Sequence, residues 1–97
     1  MRFDWDPRKA AAKEAQHGIG FDLAITAFDD PHALLAPDER HSSSEEIREW
    51  LIGESDRSIL VVVFTRRSGD RIVRIISARR ASRGERKSYE KCKELPI

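Results

Sequence analysis

Ninety-seven residues with 18 Lys and Arg, 17 Asp and Glu and one cysteine leave room for one domain, 1–97, because a chain this short buries only roughly 60–65% of its unfolded surface. The apolar share of 39% is low and the charged share of 36% high, but the net charge of +1 lacks the imbalance that keeps polar chains unfolded, so a folded domain with a very polar exterior is expected. The apolar run 59–64 is far short of the roughly 20 residues that span a bilayer, no apolar segment follows Arg2, and Cys92 with three scattered histidines excludes a disulfide framework and disfavours zinc. A cytoplasmic protein with no membrane association, metal or cofactor is the expectation.

Phe3-Asp4-Trp5 reads as a short extended segment. Asp6-Pro7 predicts a helix start, with Asp6 as N-cap, Pro7 in the first helical position, and Trp5 and Ala10 at the hydrophobic-staple positions. The alanine-rich stretch to Gln16 supports the helix, and Gly18 suits a left-handed C-cap. Phe21, Ala24, Ile25 and Phe28 fall at i, i+3, i+4 and i+7, one stripe of a second helix that Asp29-Asp30-Pro31 ends. With Gly18 and Gly20 in the connection, the two helices should form a tight hairpin. A short strand at 33–36 and a mobile polar loop at 37–46 follow.

Residues 50–53, 59–66 and 72–79 are β-branched or aromatic runs separated by the turn sequences Ser55-Asp56-Arg57-Ser58 and Arg67-Ser68-Gly69-Asp70, which predicts an antiparallel meander. Run 59–64 is apolar throughout, so both faces of the central strand should be covered, at least in part. Ser82-Arg83-Gly84-Glu85 has capping-box spacing and opens a last helix through Glu94. The apolar face of that helix is meagre (Ala81, Tyr89, Cys92, Leu95) and predicts loose docking, with Cys92 a small packing residue. The fold class expected is α+β, an N-terminal helical hairpin packed on a small antiparallel sheet with a C-terminal helix.

The near-zero net charge conceals an asymmetry. Residues 1–56 hold 6 basic and 13 acidic side chains, a balance of −7, and residues 57–97 hold 12 and 4, a balance of +8. Arginine dominates the basic part, and its planar fork matches phosphate in a bidentate geometry, so a surface that seeks a polyanion is one reading. The other is that these arginines cap the sheet and pair with the acidic first half, for example with Asp22 or Glu49. Strict alternation along 72–79 puts Ser77 and Arg79 on one face with Val73 and Ile75, and Arg74 and Arg80 on the other.

Glu85 and Tyr89 are four residues apart on one face of the last helix, and Arg79 ends the strand that feeds it. A carboxylate, a phenol and guanidiniums can act as general base, general acid and phosphate clamp in RNA cleavage by the 2′-hydroxyl. Glu85 is equally explained by the capping box, and Tyr89 as the helix's one large apolar contact. His17 is at the end of the first helix, where the dipole favours a histidine as a C-terminal cap. No role is assigned to His32 or His41.

Phe3-x-Trp5-Asp6-Pro7-x-Lys9-Ala10, His17-Gly18-Ile19-x-Phe21, Phe28-Asp29-Asp30-Pro31, His41-Ser42, Ile52-Gly53-x-Ser55 and Leu60-Val61-Val62-Val63 together resemble the BrnT family of type II toxins. The most specific block is Arg71-Ile72-x-Arg74-Ile75-Ile76-Ser77-Ala78-Arg79-Arg80-Ala81-x-x-x-Glu85-Arg86-x-x-Tyr89-Glu90. Lys13 and Gln16 stand where the family usually has Asn and Lys. The resemblance implies a RelE-like fold and a metal-independent endoribonuclease that arrests translation. It also implies a BrnA-like antitoxin encoded alongside, which neutralises the toxin and joins it on operator DNA, with a homodimer or toxin–antitoxin heterotetramer as the assembly. In this reading Arg79, with Arg66 or Arg74, holds the phosphate, Glu85 and Tyr89 move protons with His17 in reserve, and Arg71, Arg80 and Lys87 complete the RNA contact. A non-catalytic module that binds nucleic acid or protein is the alternative.

Overall fold

The computed structural model describes residues 2–94. The elements are β1 (Arg2–Asp4), α1 (Pro7–His17), α2 (Phe21–Thr26), β2 (Leu34–Pro37), β3 (Arg48–Glu54), β4 (Ile59–Arg67), β5 (Ile72–Arg80) and α3 (Arg83–Lys93), with single 3-10 turns at Ala27–Asp29 and Glu39–His41. No helix among the described residues is long and apolar enough to cross a membrane. The five strands form one sheet in the order β1-β5-β4-β3-β2. The meander β3-β4-β5 is antiparallel as expected, and β2 adds to β3 antiparallel. The sheet is nevertheless mixed, because β1 pairs parallel to β5, with Phe3 opposite Val73.

Local chemistry explains the helix ends. Asp6 accepts from the Arg8 amide at 2.9 Å, Gly18 closes α1 at φ 74°, and the Ser82–Glu85 capping box is complete in both directions. The second helix is shorter than its apolar stripe suggests. It ends at Thr26, and the chain tightens into the 3-10 turn 27–29, so that Phe28 meets Phe3 and Phe64 edge-on at 5.0 and 5.1 Å between centroids. α1 and α2 both lie against β5. They bury Ile19, Phe21 and Ala24 on Leu51, Leu60, Val62, Phe64, Val73, Ile75 and Ala78.

The opposite face receives α3 at one end. There Tyr89 of α3 is fully buried on Ile52 and Val61. Its hydroxyl donates to the Asp30 carboxylate, which also accepts from the amides of Glu54 (2.7 Å) and His32 (2.9 Å). These three donors hold Asp30 below its usual range against the opposing effect of burial. The expectation of loose docking therefore fails: one residue, anchored at both its ring and its hydroxyl, fastens α3. Cys92 is exposed, so its expected packing role fails too, and Leu95 lies outside the described residues. Segment 37–46, expected to be mobile, is tied down. The Ser42 hydroxyl donates to the Asp38 carbonyl (2.6 Å) and accepts from the Arg48 amide (2.8 Å).

Gly53 is needed for a close approach. A β-carbon there would come within 2.8 Å of the Ala27 carbonyl oxygen and 2.9 Å of a Leu51 methyl. Gly53→Ala is accordingly expected to cost about 1–3 kcal/mol through overpacking. Thermal melting should show a loss of roughly 4–8 °C per kcal/mol in a domain of this size; an unchanged midpoint would contradict the contact.

Candidate active site

The site begins with an irregularity in β5. Ser77 stands opposite Val63 and Ile75 opposite Phe64, so Ile76 has no partner on β4. Such a β-bulge breaks the alternation of side chains. Val73, Ile75 and, beyond the bulge, Ala78 all point into the helix-side core. Arg74, opposite Thr65, and Ser77 and Arg79, opposite Val63 and Val61, share the other face. The strict alternation read from sequence is thereby corrected: Arg79 does not share a face with Val73 and Ile75, and Arg74 joins it.

That face forms a groove of about 880 Å³, within the range of small-ligand sites. Its floor is apolar, made by Trp50, Val61, Val63 and Ile76. Arg79 and the start of α3 close one end, Lys13 of α1 lines it, and Asp38, His41 and Arg48 also face in. A smaller cleft continues past Arg48 and Ile76 to Lys9, Arg67 and Arg74.

Arg79 and Glu85 form a bidentate pair, Nη1 to Oε1 at 2.7 Å and Nη2 to Oε2 at 2.9 Å. Glu85 Oε1 also accepts from the Ser82 amide at 2.8 Å, as the capping box requires. The guanidinium lowers the Glu85 carboxyl to about 2, and Glu85 raises Arg79 in return. With 41% of its side chain exposed, Arg79 still offers a face to an incoming anion. Farther along, Arg48 Nε donates to Glu46 at 2.9 Å and Arg74 Nη1 to Asp4 at 3.2 Å. His41 Nδ1 is 3.0 and 3.1 Å from the two carboxylate oxygens of Asp38.

The other expected site residues are scattered. Arg66 pairs with Glu49 at 2.6 Å and covers the ring of Phe64, away from the groove; the bridge to Glu49 foreseen as one reading is the one formed. Arg71 is exposed in the turn before β5. Arg80 lines a separate cleft with Glu54 and Glu90. Lys87 is exposed on α3, and His17, at the end of α1, is not among the groove's lining residues. Tyr89 is buried with its hydroxyl on Asp30, and both burial and that bond raise its ionisation above the usual phenol range. Sequence reasoning missed Lys13, Asp38, His41, Arg48 and Trp50 as groove residues. Asp38 and His41, three residues apart, were the one local signal available.

The family model described as "Ribonuclease toxin, BrnT, of type II toxin-antitoxin system" matches residues 5–85. The chain belongs to the BrnT family. A search of curated proteins finds no match for it. The matched span contains every BrnT groove residue named above through Glu85 and stops short of Tyr89. Family membership brings a ribonuclease-toxin assignment at the level of the family, and a type II system implies an antitoxin partner.

Proposed function

We propose that this chain is a cytoplasmic, metal-independent endoribonuclease toxin of the RelE-like kind, which inhibits translation by cutting RNA. The observation that carries the reading is the Arg79–Glu85 pair at the end of a nucleotide-sized groove in a chain of a ribonuclease-toxin family. Arg79, held in place by Glu85, binds the scissile phosphate and stabilises the charge that grows on it as the 2′-oxygen attacks. Arg74 and Arg48 on the same face bind neighbouring phosphates. A carboxyl held near 2 by its partner is a weak base at neutral pH, so Glu85 serves by positioning Arg79. Tyr89 serves by docking α3. A BrnA-like antitoxin encoded alongside neutralises the toxin, and the two bind operator DNA together, as a heterotetramer or through a toxin homodimer.

Induction of this chain alone should stop growth, and co-expression of the adjacent antitoxin should restore it. Purified protein should cut RNA to fragments ending in a cyclic 2′,3′-phosphate, with the same rate in EDTA. Salt-sensitive RNA binding without new RNA ends would favour a non-catalytic binding module, and activity lost in EDTA and regained with Mg²⁺ would remove the metal-free mechanism.

A further inference from the structure

The ribonuclease reading leaves the proton on the 2′-hydroxyl without an acceptor. Glu85 is committed to Arg79 and to the cap of α3. The Tyr89 hydroxyl is buried on Asp30, and His17 does not line the groove. The groove that Arg79 lines also holds His41 and Asp38, a pair to which the ribonuclease reading gives no role. His41 bonds through Nδ1 to Asp38, whose side chain is 16% exposed while that of His41 is 60% exposed.

We propose that His41, held by Asp38, is the general base of the groove; this rests on the ribonuclease reading. The bond at Nδ1 fixes the imidazole tautomer and orientation and leaves Nε2 to face a substrate. Histidine is the side chain whose charge changes between pH 5 and 8, which suits proton transfer at neutral pH. Trp50, half-buried on the floor, offers a flat apolar surface on which an unpaired base stacks. In the reaction, Nε2 of His41 takes the 2′-hydroxyl proton as O2′ forms its bond to phosphorus. The bond from phosphorus to the 5′-oxygen breaks, and that oxygen takes a proton from solvent. Products are a 2′,3′-cyclic phosphate and a 5′-hydroxyl, and His41 returns its proton to water.

Asp38 is a positioning residue. The capture of segment 38–48 does not depend on its side chain, because Ser42 bonds to the Asp38 carbonyl, so replacing the carboxylate leaves the loop anchored. The charged groups that share the groove with His41 are Asp38 beside it, Arg48 from β3, Lys13 from α1, Arg79 from β5 and Glu85 from α3. The carboxylate in contact holds the ring at Nδ1, so its removal should free the imidazole to turn away from the position that faces the substrate.

The test is single-turnover cleavage of a short single-stranded RNA, with RNA affinity measured alongside. His41→Ala should lower the rate about 10²–10⁴-fold, the usual worth of a general base, with affinity unchanged and part of the rate restored by added imidazole. Asp38→Asn should lower the rate by less than His41→Ala does, with RNA affinity unchanged, and should have no further effect when combined with His41→Ala. Wild-type rates in His41→Ala, or a loss matched by an equal loss of RNA affinity, would overturn the assignment while leaving the ribonuclease reading intact. Failure of the wild-type protein to cut RNA would overturn both.

Discussion

Arg79→Ala is expected to reduce RNA cleavage by about 10²–10³-fold, the scale on which a single preorganised donor to a developing oxyanion acts. Arg79→Lys should recover only part of that loss. A lysine supplies charge but not the planar fork, and here the fork is what engages both oxygens of Glu85 at 2.7 and 2.9 Å. The fold should survive, because the Arg79 side chain is 41% exposed and Glu85 keeps its bond to the Ser82 amide. An exposed pair of this kind contributes little to stability. Growth arrest on induction should disappear with the cleavage, while the circular dichroism spectrum stays as in the wild type. Full activity in Arg79→Ala would dismiss the phosphate-clamp assignment.

The largest effect on stability should come from Tyr89. It is the one buried residue of α3, with 1% of its surface exposed, so Tyr89→Ala should cost about 3–5 kcal/mol against a total of roughly 5–15 for a domain. Tyr89→Phe isolates the hydroxyl. It leaves Asp30 with the amides of Glu54 and His32 and should cost about 1–3 kcal/mol. Because the folded Asp30 carboxyl is held below its unfolded value, its contribution is present above about pH 4 and lost as the pH falls. The deficit of Tyr89→Phe should therefore shrink in acid, and a deficit constant down to pH 2 would contradict the Asp30 contact. Activity should fall with stability in Tyr89→Ala, since α3 carries Glu85 to Arg79.

Features built from neighbouring residues were legible in the sequence. The Asp6 cap, the Gly18 turn and the Ser82–Glu85 box each need only a few consecutive residues, and all three formed. Glu85 beside Arg79 was within the same reach, since a strand feeding a capped helix holds them six residues apart. Features set by distant partners were not. β1 finds β5 across about seventy positions, bringing Asp4 to Arg74. The opposed charge of the two halves suggested separate acidic and basic surfaces, but Asp4–Arg74, Glu49–Arg66 and Glu46–Arg67 join one half to the other. Tyr89 looked like a weak anchor because a helix pattern counts apolar residues and does not see a carboxylate arriving from Asp30.

Ile76 is a surplus residue. Counted along β5, Arg74 and Arg79 are an odd number of positions apart; counted along β4, their partners Thr65 and Val61 are an even number apart. The unpaired isoleucine reconciles the two counts. Deleting a residue from a central strand ordinarily turns everything beyond it inside out. Removing Ile76 would instead leave Ser77, Ala78, Arg79 and Arg80 opposite the same β4 residues they face now, on a ladder made regular. The strand beneath Arg74 and Arg79 thus carries one residue of slack, and variation in length at this point leaves Arg79 on its side of the sheet.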